Sequence, residues 1–155
     1  MEISISILGS GNVATHLCNY FHEKGIKIDV IYNHDLGTAK LLANKINCHY
    51  TSLVQEIPKS STIYLIALPN QHIIDTIEKL KLDNPFLVHT SGSFNSELLN
   101  KYTNNWGCLY PMQTFVKNQP SDLKTSPFFL EANETKNNKM EGNSTMEFTG
   151  KLKGT

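Results

Sequence analysis

Two glycines and an alanine stand at a spacing that can bind a phosphate. The segment Gly9–Ala14 reads Gly-Ser-Gly-Asn-Val-Ala, which fits the pattern GxGxxA. Gly9 permits a tight turn, and Gly11 lets the backbone approach a pyrophosphate without a Cβ in the way. Ala14 lets the following helix pack closely on a strand, and the free N–H groups at the helix start would hold the phosphate. The segment predicts dinucleotide binding; the alternative is a glycine turn without a ligand.

The residues after the second predicted strand bear on which dinucleotide binds. An NAD site usually has a carboxylate there, which accepts a hydrogen bond from the ribose 2′-hydroxyl. Asn33 occupies that position, and His34 follows it with an imidazole that could bind a 2′-phosphate. We therefore expect NADP rather than NAD, with Asn33 and His34 as contacts. The alternative for His34 is a solvated loop histidine, and Asp35 could cap the next helix.

Three further polar segments follow predicted strands, where open α/β sheets bind their ligands. They are Leu68–Gln71, His89–Ser93 and Tyr110–Phe115. The first could wall the nicotinamide ribose, and the second could hold a cofactor amide, a ribose or a substrate carboxylate. The third offers a phenol and an amide. For the first segment, the alternative is an ordinary loop. For the second, it is a turn in which Ser93 caps the following helix, and for the third, it is a strand whose aromatic residues lie in the core.

Other kinds of catalytic site are disfavoured. No serine stands in a GxSxG elbow, so a hydrolase triad is not expected. His16 and His22 are six residues apart, which places them on different faces of a helix, and we expect no metal site. The three cysteines, Cys18, Cys48 and Cys108, lack CxxC spacing and fit a reducing compartment.

The hydrophobic pattern predicts the elements that carry these segments. Alternation or continuous apolar runs indicate strands near 3–7, 28–33, 48–51, 63–69, 86–89, 108–110 and 128–131. Helical spacing indicates helices near 12–24, 39–46, 73–80 and 96–102. This alternation predicts an α/β fold with a doubly wound, mainly parallel sheet, a Rossmann-like dinucleotide-binding domain over 1–133. The polar stretch 134–155 predicts a disordered tail.

Composition excludes several partners. The 155 residues carry 14 lysines against 14 acidic residues and contain no arginine, so the net charge is zero. Nucleic acid is therefore not expected as a partner, because phosphate backbones are bound by basic surfaces. No apolar run is long enough to span a membrane, and no signal peptide precedes the first strand. We expect a cytoplasmic protein.

Four motifs in this order resemble a known family. GSGNVA after the first strand, then IALPNQHI, HTSGS and GCLYPMQTF, are similar to Rossmann-like oxidoreductases related to pyrroline-5-carboxylate reductase and prephenate dehydrogenase. More narrowly, they resemble a bacterial group with an NADP-binding domain followed by a helical domain of unknown function. The resemblance covers about 3–131. It implies that the cofactor contacts two segments: Gly9, Ser10, Gly11, Asn12 and Val13 in the first, and Leu68 and Pro69 in the second. It also places His89, Ser91 and Ser93 near the nicotinamide.

The sequence departs from this family at three places. Many relatives have His-Pro where this chain has Tyr110-Pro111, and NADP-binding relatives often have arginine where it has His34. The family also has a helical domain that supplies dimer contacts and half of the substrate pocket, where this chain has only 134–155. We therefore expect a truncated chain, with a homodimer possible for the full-length family.

These observations predict one leading function and two alternatives. The leading interpretation is the NADP-binding domain of an oxidoreductase that transfers a hydride between the nicotinamide and a small polar substrate. His89, Ser91 and Tyr110 are its candidate catalytic residues. The second is a nucleotide-binding module without catalysis. The third, S-adenosylmethionine-dependent methyl transfer, usually has an acidic residue in place of Asn33.

Overall fold

The computed structural model describes residues 2–111 and 128–132. In chain order the elements are β1 (Ser4–Leu8), α1 (Asn12–Glu23), β2 (Lys27–Tyr32), α2 (Leu36–Ile46), β3 (His49–Thr51), β4 (Ile63–Ile66), α3 (Asn70–Leu80), β5 (Phe86–His89), β6 (Asn105–Pro111) and β7 (Phe128–Ala132). Short 3-10 segments lie at Val54–Glu56 and Ser96–Lys101. The predicted tail, 134–155, and the part of Tyr110–Phe115 after Pro111 lie outside the described residues.

The strands form one sheet in the order β3-β2-β1-β4-β5-β6-β7. All neighbours from β3 to β6 pair in parallel, and β7 pairs antiparallel with β6. The chain order reverses between β1 and β4, so the loops after these two strands diverge to opposite sides and leave a crevice at their carboxyl ends. The predicted α/β class and mainly parallel, Rossmann-like sheet are confirmed.

Two apolar clusters cover the sheet, one on each face. Ile5 and Ile7 of β1 pack with α1 and α2, whereas Leu8 of the same strand packs with α3 on the other face. All four residues of β4 are buried. A central parallel strand between two helical layers has no polar face, which explains its continuous apolar sequence.

Two strands differ from the sequence prediction by three residues at one end. β4 ends at Ile66 rather than near Pro69, because Pro69 is already the residue that precedes the first turn of α3. β6 begins at Asn105, three residues earlier than predicted, because its parallel pairing with β5 starts there. This longer strand buries Trp106, whose Nε1 donates to Asn100 Oδ1 at 2.7 Å.

The cysteines and the helices give no sign of metal binding or membrane insertion. All three cysteines are free, and burial raises the pKa of Cys18 to about 12 and that of Cys48 to about 11. Within residues 2–111, no cluster of three or more metal-ligating side chains occurs. In the same part of the chain, no helix is both long and apolar enough to cross a membrane.

Candidate functional site

Gly9 makes the turn that leads from β1 towards α1. Its φ is +119°, a conformation that side chains rarely adopt, and its N–H donates to Tyr32 O at 2.7 Å. A Cβ at this position would collide with the Ala67 carbonyl oxygen and lie 2.8 Å from its carbon. Ala67 in turn donates its N–H to Leu8 O at 2.8 Å. Gly9 therefore ties the turn to both neighbouring strands and has no room for a side chain.

Gly11 has the opposite surroundings. It precedes the first turn of α1 with extended backbone, and a Cβ there would meet nothing within 4 Å. No side chain caps the helix, and its first turn contains no acidic residue. Thr15 donates its N–H and its hydroxyl to Gly11 O, which fixes the backbone of the turn. The helix start thus faces open space with N–H groups available to an anion. Asn12 and Val13 form that first turn.

A small polar network joins this turn to the end of β2. Ser10 is 3% exposed and donates its hydroxyl to Thr38 Oγ1 at 3.0 Å. Asn33 Nδ2 donates to Ser10 Oγ at 2.6 Å and to Thr38 Oγ1 at 2.7 Å. The Thr38 hydroxyl donates to Asp35 O at 3.0 Å, so its oxygen can only accept from Asn33. This fixes the amide nitrogen of Asn33 towards the hydroxyls, and its Oδ1 has no hydrogen-bond partner in the part of the chain that the structure describes.

His34 is exposed beside this network. Asp35 caps α2, because its Oδ1 accepts from Gly37 N at 2.9 Å and from Thr38 N at 3.4 Å. The carboxylate nearest to the end of β2 is therefore engaged with a helix end. The His34 ring centroid lies 6.4 Å from that of His72, which is in the first turn of α3.

Leu68 and Pro69 connect β4 to α3 on the other side of the crevice. Leu68 is half-buried and Pro69 is exposed. No side chain caps α3. The next residue, Asn70, donates from Nδ2 to Ser93 Oγ at 2.8 Å. This bond links the loop after β4 to the loop after β5.

His89 lies beneath that second loop and is 1% exposed. Ser91 N donates to its Nδ1 at 3.2 Å, so the proton of the neutral ring is on Nε2, which bonds Ser96 Oγ at 2.6 Å. The ring of Phe94 packs edge-on against the imidazole at 5.1 Å. Burial lowers the pKa of His89 to about 4. Both nitrogens are thus used inside the protein, and the ring is neutral at pH 7.

The hydroxyls of Ser91 and Ser93 lie at the surface of this loop. Their oxygens are 3.3 Å apart, and Ser93 N also approaches Ser91 Oγ at 3.3 Å. The Ser91 carbonyl accepts from Cys108 Sγ at 3.8 Å, which holds the loop to β6. Ser93 does not cap the following 3-10 segment; Asn95 does, by accepting from Glu97 N. The alternative role of Ser93 as a helix cap is therefore wrong.

The predicted residues form two groups along the carboxyl edge of the sheet. Gly9–Val13 meets Asn33, which precedes the exposed His34, above β1 and β2, and Leu68–Pro69 is linked through Asn70 to Ser93, whose hydroxyl lies beside that of Ser91. His89 lies below the second group. Tyr110 is on β6 opposite Phe129 of β7, and its side chain lies outside the described part of the chain.

His72 is the residue of this edge that the sequence reasoning missed. It lies in the segment IALPNQHI, one residue before the helix predicted near 73–80. Nothing in the sequence placed it beside His34, which is 38 residues away on another element.

A dinucleotide fits these residues. The space at Gly11 would be filled by a Cβ, and the adjoining helix start offers unpaired donors, as a pyrophosphate requires. The end of β2 presents an amide oxygen and an imidazole in place of a carboxylate.

The comparisons agree with this geometry. Residues 4–91 match the family model described as NADP oxidoreductase, coenzyme F420-dependent. No curated protein sequence matches the chain. A solved structure from Bacteroides fragilis, provisionally described as an NADP oxidoreductase, is 31% identical with a TM-score of 0.81. The alignment covers 86% of this chain and 53% of the chain in that structure.

Two more distant structures share the fold. A pyrroline-5-carboxylate reductase from Coxiella burnetii is 17% identical with a TM-score of 0.69, aligned over 96% of this chain and 54% of its own. A prephenate dehydrogenase from A. aeolicus is 12% identical with a TM-score of 0.66, aligned over 99% and 57%. The resemblance to these oxidoreductases is confirmed at the level of fold. The chain spans about half the length of the solved structures it matches.

Proposed function

Since this chain belongs to the family described as NADP oxidoreductase, coenzyme F420-dependent, we propose that it binds NADP in the crevice between β1 and β4. In this proposal, it is the cofactor-binding part of an oxidoreductase that acts on a small polar substrate. The observation that carries the proposal is the uncapped start of α1 beside Gly11, where a Cβ would meet nothing within 4 Å. Within the described residues, no side chain caps those donors and no atom would meet that Cβ.

The first group of residues would bind the adenosine half and the pyrophosphate. N–H groups of the turn and of the first helical turn, through Asn12 and Val13, would donate to the pyrophosphate oxygens. Ser10 would support the turn through Asn33 and Thr38, since its hydroxyl is buried. Asn33 Oδ1 would accept from a ribose hydroxyl.

The preference for NADP follows from charge. A carboxylate at the end of β2 would repel a 2′-phosphate, and the nearest one, on Asp35, is engaged with the start of α2. Asn33 is neutral, and His34 is exposed and able to carry a positive charge. We therefore expect NADPH to bind more tightly than NADH.

The second group would hold the nicotinamide half. The bound nicotinamide supplies the hydride chemistry. Leu68 and Pro69 would line its ribose, and Ser91 and Ser93 would offer hydroxyls to its amide or to the substrate. His89 would act as a positioning residue, because both ring nitrogens hold the loop that carries those serines.

A module that binds the nucleotide without catalysis is the second candidate. The observation that favours it is that His89 has no free nitrogen to exchange a proton with a substrate. Binding of NADPH without its oxidation by imines or 2-oxo acids would support this candidate. Oxidation of NADPH that depends on Ser91 would support the oxidoreductase.

Gly11→Val tests the binding site. We expect NADPH affinity, measured by fluorescence titration, to fall more than 100-fold, because the new side chain occupies the space of the pyrophosphate. The free energy of unfolding should change by less than about 1 kcal/mol, since the added Cβ would meet nothing within 4 Å.

Asn44→Val is the matched control, because it puts the same side chain on the exposed surface of α2. This variant should bind NADPH as the wild type does. Unchanged NADPH affinity in a folded Gly11→Val protein would contradict the proposed site. Tighter binding of NADH than of NADPH by the wild type would contradict the cofactor.

A further inference from the structure

Two exposed histidines from separate elements meet over the end of β1. His34 follows β2, and His72 is the third residue of α3, which follows β4. Because β1 lies between β2 and β4, the two rings approach each other from either side of that strand. Their centroids are 6.4 Å apart and their planes are inclined by 40°.

The backbone fixes both histidines while the rings stay available. His72 N donates to Pro69 O at 2.9 Å, and its carbonyl accepts from Thr76 Oγ1 at 2.7 Å. His34 stands between Asn33, which is held by the polar network, and Asp35, which caps α2. Within residues 2–111, neither imidazole has a hydrogen-bonding partner, so the ring N–H groups can reach a ligand.

We infer that His34 and His72 together bind the phosphate on the adenosine ribose of the cofactor, one ring from each side of the crevice. This inference rests on the proposed function, to which it adds His72 as a second specificity-determining residue. Each imidazolium offers N–H donors and a positive charge, and the three free oxygens of a phosphate monoester can accept from both.

The spacing favours a phosphate over the adenine base. A flat base between two rings needs them parallel and, at about 3.5 Å per contact, roughly 7 Å apart. The observed rings are closer and tilted. Two N–H···O bonds of about 2.9 Å to different oxygens of one phosphate fit such a gap.

The neighbouring acidic side chains do not compete with a phosphate for these two rings. The acidic side chains on the loop, on α3 and on the segment packed against α3 have partners of their own: Asp35 with Gly37 and Thr38, Asp75 with Lys79, Glu78 with Tyr102, and Glu56 with Thr51.

The test compares two ligands that differ by the phosphate in question. Adenosine 2′,5′-bisphosphate and adenosine 5′-monophosphate are titrated calorimetrically into the full chain at pH 7. For the wild type, we expect the bisphosphate to bind at least tenfold more tightly than the monophosphate.

His72→Ala should lower the affinity for the bisphosphate about tenfold, with less than a twofold change for the monophosphate. His72→Lys should keep most of the affinity, because the positive charge remains. His22→Ala is the control, since His22 is exposed at the far end of α1.

The outcomes separate this inference from the proposed function. Equal losses for the two ligands in His72→Ala, or no loss for either, would overturn the paired phosphate site while leaving cofactor binding intact. A wild type that binds neither these ligands nor NADPH would overturn both. Selective loss for the bisphosphate supports the pair.

Discussion

The carboxyl edge of the sheet has two halves with opposite character. The open half, above β1 and β2, comprises Gly11, Asn33 and His34. Within the described residues, its helix start has no side-chain cap, and the Asn33 amide oxygen and the His34 imidazole have no hydrogen-bond partner. The closed half, above β4 and β5, comprises His89 and the serine loop after it. There the imidazole nitrogens and the serine hydroxyls bond within the protein.

The difference indicates how the two halves would work. The open half has donors and acceptors that the fold does not use, which is the state expected of a surface that recognises a charged ligand. The closed half has a defined shape maintained by its own hydrogen bonds. It would orient a ligand rather than bind it strongly, since a ligand must replace bonds that already exist.

Gly9→Ala should have the largest effect, because Gly9 connects the halves. Its added Cβ would collide with Ala67 at the end of β4, and its φ of +119° would be strained for alanine. We expect a loss of about 3–5 kcal/mol in the free energy of unfolding, the sum of overpacking and backbone strain.

Chemical denaturation of Gly9→Ala measures this loss. Gly11→Ala makes the same change two residues later and should cost less than about 1 kcal/mol. Equal stability of the two variants would show that Gly9 does not fix the position of the turn.

His89 predicts an acid-sensitive closed half. Burial lowers its folded-state pKa to about 4, whereas an unfolded histidine titrates near 6.5. Between these values the unfolded chain binds a proton that the native state does not, so stability is complete above pH 6.5 and declines towards pH 4. The decline from this residue is at most about 3 kcal/mol.

Urea denaturation at pH 8, 6 and 5 measures this dependence for the wild type and for His89→Asn. The variant should be less stable at pH 8 by about 1–3 kcal/mol, because the bonds to Ser91 and Ser96 are weakened. Carboxylates contribute equally to both proteins, so the two stability curves should converge as the pH falls. Parallel curves would show that His89 titrates normally.

The elements could be predicted because their signals are local. The alternation of Ile3, Ile5 and Ile7, the glycines that follow, and the continuous apolar run of β4 each reflect neighbours in sequence. These patterns were enough for the α/β class and the mainly parallel sheet, since strands that alternate with helices follow few topologies.

The details of the site depend on contacts that no local pattern encodes. Burial of His89 requires Ser96 and Phe94 to fold back over it, and its segment alone looks like an exposed polar loop. The meeting of His34 with His72 depends on two crossovers, which bring residues on either side of β1 together. The sequence therefore predicts which segments lie at the carboxyl edge of the sheet. It does not predict which half of that edge is open and which half is closed by its own hydrogen bonds.

Ser93→Ala should have the smallest effect and is the finest test of the comparison. The variant removes the bonds to Asn70 and Ser91, but all three side chains have access to water, which can replace the lost partner. The free energy of unfolding should therefore change by less than about 0.5 kcal/mol. NADPH affinity should fall by threefold at most, because the closed half would contribute orientation more than binding energy. A tenfold loss of NADPH affinity at unchanged stability would mean that the ligand replaces the serine bonds and binds the Ser93 hydroxyl directly. Both halves of the edge would then contribute binding energy.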